Sequence, residues 1–188
     1  SCDFCLGSYA YTEPGDREMK TFSIAHDEKE IIPMLRDAMA FCPELELVAS
    51  PWSPPAWMKE NASVLEGGKL LPDWVKEWGE YVAHYLLAMR KAGIHITMMT
   101  VQNEPLATQT WESCRYDAED EAVVIRDALL PALERHGLTD VKLFIWDHNK
   151  ERVYDRARDA FKVGNTRQVV DGVAFHWYAG EPEIMEEV

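Results

Sequence analysis

The four residues Gln102-Asn103-Glu104-Pro105 follow directly on the apolar run "HITMMTV" (95–101). They put an amide and a carboxylate where a buried strand stops. A lone glutamate there would be a solvated strand end. Three further apolar runs also end in polar and aromatic groups: "SPWSPPAW" (50–57), "DHN" (147–149) and "HWY" (176–178). Amides and carboxylates hydrogen-bond sugar hydroxyls, and tryptophan faces stack on sugar C–H groups, so the combination suits a carbohydrate. Within it Glu104 is the candidate general acid, its pKa expected to be lifted by partial burial and a second nearby carboxylate. Pro105 is expected to hold the Glu104 backbone extended and so aim the side chain.

The elements that would position these groups read as four short strands, "ELELVAS" (44–50), "HITMMTVQ" (95–102), "VKLFIW" (141–146) and "GVAFHWY" (172–178), each buried on both faces. Helical patterns alternate with them. Asp27 to Phe41 opens on an Asp27/Glu30 capping box and places Ile31, Leu35, Ala38 and Met39 on one face. Trp74 to Ala92 carries the stripe Trp74, Trp78, Val82, Tyr85 and Met89, closed by Gly93. Glu119 to His136 stops at Gly137 and is expected to kink at Pro131; a shorter helix covers about Glu151 to Lys162. Strict alternation with buried strands predicts βα units around a parallel sheet, whose carboxyl ends form one reactive face. No linker, low-complexity tract or internal repeat divides residues 1–188, so a single domain, or part of one, is expected.

With 19 Lys and Arg against 33 Asp and Glu, the net charge is −14 and no basic run offsets it. Such a surface repels phosphate backbones, so nucleic acid is excluded as a partner and a neutral substrate preferred. No apolar run approaches the roughly 20 residues of a membrane-spanning helix. Cys2 and Cys5 form a C-x-x-C without a second pair, and are read as small side chains near a strand end. No H-E-x-x-H pattern occurs among the six histidines, and Asp147-His148-Asn149 is read as a hydrogen-bonded strand end. No metal and no cofactor is expected.

Taken in order, "SCDF", "ASPWSPPAWMK", "TVQNEP", "WESC", "WDHN" and "AFHWY" resemble glycoside hydrolase family 30, which includes glucosylceramidases (acid β-glucosidases) and microbial β-1,6-glucanases. The resemblance implies a (β/α)8 TIM barrel, of which this chain supplies about strands 3 to 6, and retaining hydrolysis of β-glucosides. It implies Glu104 as the general acid/base and Asn103 as the ligand of the sugar 2-hydroxyl. Asp3 and Trp52 are expected on the same ring, with His176 and Tyr178 in the pocket and Tyr178 near the catalytic carboxylates. Trp111 of the "WESC" loop is assigned to the leaving-group side. The nucleophile is expected to be a glutamate beyond Val188, and the protein to be secreted or otherwise extracytoplasmic. The expected substrate is glucosylceramide or a β-glucan, with the glucosylceramidase-like reading preferred. An endo-β-1,6-glucanase is the alternative within the family. A non-catalytic carbohydrate-binding relic is the alternative of another class.

Overall fold

The computed structural model describes residues 7–188; Asp3, Cys2 and Cys5 lie outside them. In chain order the main elements are α1 (Ile31–Phe41), β1 (Val48–Ala49), α2 (Val75–Lys91), β2 (Met98–Thr100), α3 (Ala118–Val124), α4 (Leu130–Arg135), β3 (Lys142–His148), α5 (Val153–Phe161), α6 (Thr166–Val169) and β4 (Gly172–Phe175). The strands lie side by side in sequence order, and every pairing is parallel. Each parallel return needs a crossover, supplied here by the intervening helices.

The strands are shorter than their apolar runs. Only two residues of "ELELVAS" enter the ladder, and among the described residues they pair with β2 alone. Burial on both faces holds toward the sheet centre, where Met99, Leu143 and Ile145 are buried on one face and Thr100 on the other. It fails at the outer strands, where Val48 and Phe175 are exposed. Among the described residues each of these strands has one sheet neighbour. β3 runs two residues past its expected end, to His148, through a bulge described below.

The first helix starts at Ile31, with no side-chain cap. Asp27 does not cap it: the carboxylate is buried and accepts the hydroxyls of Tyr9 (2.7 Å) and Tyr11 (2.8 Å). A buried carboxylate needs strong donors, and two phenols supply them where the helix amides would have. The inward face of α1 accordingly centres on Ile32, with Leu35 and Met39 against the core and Ile31 outside.

At Pro131 the third helical stretch departs from α-helical geometry. A π-helical turn, Ile125–Leu129, joins α3 to α4, and the Leu130 N–H donates to Ile125 O five residues back. Proline has no N–H for the α-helical bond to residue 127, and the widened turn takes up the mismatch while the helix continues.

α2 packs closely against that turn. A Cβ placed on Gly79 of α2 would stand 2.3 Å from the Ala128 carbonyl oxygen. Gly79→Ala therefore inverts the usual preference of helices for alanine. The expected loss is about 1–3 kcal/mol, the cost of overpacking, read from the urea midpoint of the complete protein. A gain in stability would show that α2 and the π turn can separate freely.

Candidate active site

The carboxyl ends of the four strands converge, and hydrogen bonds lock them together. The Asn103 N–H donates to Pro51 O (2.7 Å) and the Glu104 N–H to Asp147 O (2.9 Å), tying the end of β2 to both neighbours. The Gln102 side-chain amide donates to Trp52 O at 2.8 Å. Glu104 does not have the extended backbone expected from Pro105. Its φ is +44°, in the left-handed half, and a turn closed by the Ala107 N–H on Glu104 O follows at once. Strain of this kind costs on the order of 1–3 kcal/mol and persists only where the surroundings over-determine it.

Two further left-handed residues, Trp146 (φ +77°) and Asp147 (φ +50°), form the bulge of β3. Bulges re-aim side chains. Here the result is that Asp147 Oδ2 accepts from Thr100 Oγ1 at 2.7 Å and Asp147 Oδ1 lies 3.1 Å from His176 Nε2. Thr100 Oγ1 also lies 3.0 Å from Ser50 Oγ. On the far side of its ring, His176 presents Nδ1 to Glu104 Oε1 at 3.1 Å, within ion-pair range but off the line of a hydrogen bond. The continuous array Thr100–Asp147–His176–Glu104 therefore draws on β2, β3 and the end of β4.

A buried pair holds the bulge. Glu121 of α3 is fully buried; its Oε1 accepts the Trp146 N–H (3.0 Å) and its Oε2 the Arg156 Nε–H (2.9 Å). Arg156 of α5 spends another nitrogen on the carbonyls of Tyr116 and Asp117. The loop after β4 is fixed in turn. Lys150 Nζ donates to Trp177 O, and the Lys150 N–H to Tyr178 O. Gly180 packs so tightly there that a Cβ would lie 2.6 Å from Glu151 N, and its φ of +77° is one side chains rarely adopt.

The expected residues thus divide. Asn103, Glu104 and His176 come together, and Tyr178 stands edge-on to His176 with ring centres 5.7 Å apart. Trp52 sits at the end of β1, half-buried, on a cavity of about 290 Å³ shared with Tyr9, Tyr11 and Glu112. Trp111 lies in a loop that pairs with the loop after β1: Ser113 N–H donates to Val64 O, and Arg115 N–H to Gly68 O. Asp147 is the hydrogen-bonded strand end expected from the sequence, and its bonds reach into the site. Thr100, Arg156 and Glu121 were not expected there: Thr100 stands at a strand end and was open to discovery, whereas nothing local marks Glu121 or Arg156. Also missed is a group on the helical layer, Glu80, His84 and His136, whose ligand atoms lie within 4.8 Å of one another. Its one trace in the sequence is the E-x-x-x-H spacing of Glu80 and His84.

The electrostatics reverse one expectation. The Glu104 carboxyl is held below its ordinary range, chiefly by its contact with His176; burial opposes this, and the His148 and His176 charges reinforce it. His176 is raised to about 9, first by Asp147 and then by Glu104, against desolvation. Burial alone would raise Asp147, but hydrogen bonds from His176, Thr100 and Ser50 outweigh it and the net shift is down. Burial lowers His148. Since the folded value of His176 exceeds the unfolded one, its contribution to stability is complete below about pH 6.5 and disappears as pH rises through about 9.

A pH experiment follows. Replacing His176 by glutamine removes the partner that lowers the Glu104 pKa, so Glu104 should hold its proton to higher pH. In the complete protein, the alkaline limb of the pH profile of kcat/KM should move up by about one unit. A limb that stays in place would separate His176 from the ionisation of Glu104.

Sequential parallel strands with helical crossovers, and a carboxylate array at their carboxyl ends, define a portion of a (β/α)8 barrel with its reactive face. The description "Glycosyl hydrolase family 30 TIM-barrel domain" matches residues 1–186, and the chain belongs to that family. Among solved structures it is similar to SrfJ from Salmonella typhimurium (41% identity, TM-score 0.91, 96% of this chain and 41% of that one). It is also similar to the endo-beta1,6-glucanase BT3312 (27% identity, TM-score 0.86, 97% of this chain and 43% of that one). Among curated proteins, putative glucosylceramidase 4 of Caenorhabditis elegans is 30% identical over 95% of this chain. The chain spans 37% of that relative's length.

Proposed function

We propose that these residues form part of a retaining β-glucoside hydrolase in which Glu104 is the general acid/base. The carrying observation is the placement of Glu104: its backbone is pinned to β3 through Asp147 O, and its carboxylate faces His176 at the strand ends. In the proposed double displacement, a carboxylate attacks the anomeric carbon while protonated Glu104 gives its proton to the departing oxygen. Glu104 then takes a proton from water as the covalent glycosyl–enzyme bond is hydrolysed. Asn103 is proposed to bind the 2-hydroxyl, with Trp52, Tyr178, Trp111 and Asp3 around the substrate.

Asp147 is unsuited to be the nucleophile, because it is buried and both its oxygens are engaged by Thr100 and His176. In keeping with the family resemblance, the nucleophile is proposed to be a glutamate outside these 188 residues. Retention places the two carboxyl groups only ~5–5.5 Å apart. A second carboxylate at that distance would push the Glu104 pKa up, opposing the imidazolium and favouring the acid form.

For the substrate, a glucosylceramidase-like β-glucosidase is preferred, in keeping with the 30% identical nematode relative. A specific observation favours a second reading, an endo-β-1,6-glucanase: the likeness to such an enzyme extends over 97% of the chain. Proton NMR of the complete protein acting on glucosylceramide and on a β-1,6-glucan tests both. The first-formed glucose or reducing end should be the β-anomer, and the faster substrate identifies the specificity. The α-anomer appearing first would overturn retention, and inertness toward both would leave a sugar-binding relic.

A further inference from the structure

We propose that Glu80, His84 and His136 form a binding site for a zinc-like divalent cation that joins α2 to the end of α4, away from the reactive face. Glu80 and His84 are one helical turn apart on α2 and project from the same side. His136 is the residue at which α4 ends. The two imidazoles meet edge to face, with centres 5.2 Å apart, and all three residues are partly buried. All three residues belong to the helical layer, outside the sheet whose strand ends carry Glu104.

The proton positions suit metal binding. His84 Nδ1 lies 2.8 Å from the carbonyl oxygen of Glu80. A carbonyl can only accept, so Nδ1 carries the hydrogen and the Nε2 lone pair is left for a ligand. A ring held in this way by a backbone carbonyl is the usual outer support of a metal-binding histidine. His136 Nε2 and Glu80 Oε2 already face each other at 2.8 Å. A cation entering between them would replace the proton shared there, giving two nitrogens and one oxygen with an open fourth position. That donor set suits zinc, cobalt(II) or nickel(II) over magnesium or calcium. The carbonyl end of a helix and a chain charge of −14 both favour a cation at this place. The opposing group is Arg135, whose guanidinium pairs with Glu80 Oε1 from the surface. It leaves Oε2 facing His136, where the metal would enter.

The test uses the complete protein, stripped with a chelator and titrated calorimetrically with zinc chloride, with magnesium as the control. One zinc per chain is expected, with micromolar or tighter affinity and a rise of several degrees in Tm at saturation. Cobalt(II) should give the intense visible bands of a tetrahedral site, bleached by zinc, a readout that needs no variant. His136→Gln and Glu80→Gln should each weaken zinc binding at least tenfold, whereas Arg135→Gln should leave it unchanged or tighten it. Absence of a single saturable site, octahedral cobalt spectra, or equal affinity in the His136 and Glu80 variants would each overturn the assignment.

Discussion

Glu104→Gln in the complete protein should lower kcat/KM on a β-glucoside with a poor leaving group by roughly a thousandfold, within the range general acid–base groups supply. An aryl glucoside with an acidic phenol needs little protonation to depart, so its first step should be nearly spared. Its turnover should then be limited by release of the glycosyl–enzyme, where the missing base is felt. Azide, a nucleophile that needs no base, should restore that turnover. The structure gives the substitution a clean reading. Glutamine keeps the shape and the backbone ties of Glu104 to β3 but cannot release or gather a proton. Equal loss on both substrate classes, with no azide effect, would remove Glu104 from the acid/base role.

Arg156→Met should be the most destabilising of the changes considered, at about 3–5 kcal/mol. It leaves the fully buried Glu121 charge without its partner. For a protein of this size or larger, that corresponds to a fall of roughly 10 °C in Tm. The damage should reach the site, because Glu121 also accepts the Trp146 N–H at the bulge that aims Asp147 at His176. A second change, Glu121→Gln, removes the orphaned charge while its amide oxygen still accepts that N–H. The double variant should therefore recover a large part of the loss, the signature of coupled neighbours in a double-mutant cycle. A loss below about 1 kcal/mol in Arg156→Met would mean that the pair is solvated in practice.

Much of the reactive face was legible because its signals are local. An apolar run that stops at a carboxylate, repeated at four strand ends with aromatics, requires no knowledge of what packs against it. The alternation of helix and strand fixed the parallel order for the same reason, and six ordered motifs fixed the family. Local signals failed where a group's partner lies far along the chain. Asp27 looked like a helix cap until two tyrosines from an earlier loop claimed it. Pro105 suggested an extended Glu104, but hydrogen bonds from Asn103 and Glu104 to both neighbouring strands impose a left-handed turn.

The sequence by itself therefore determined the parallel α/β class, the family motifs and the candidacy of Glu104, since periodicity and strand-end chemistry are written within a few residues. Tertiary structure alone decided which way the proton affinity of that carboxylate is shifted. It brought His176 from 72 positions downstream against Glu104, and Asp147 against His176, and so lowered the pKa of the acid where burial alone would have raised it. A proton's affinity depends on the charges and donors within a few ångströms, and those neighbours are chosen by the fold.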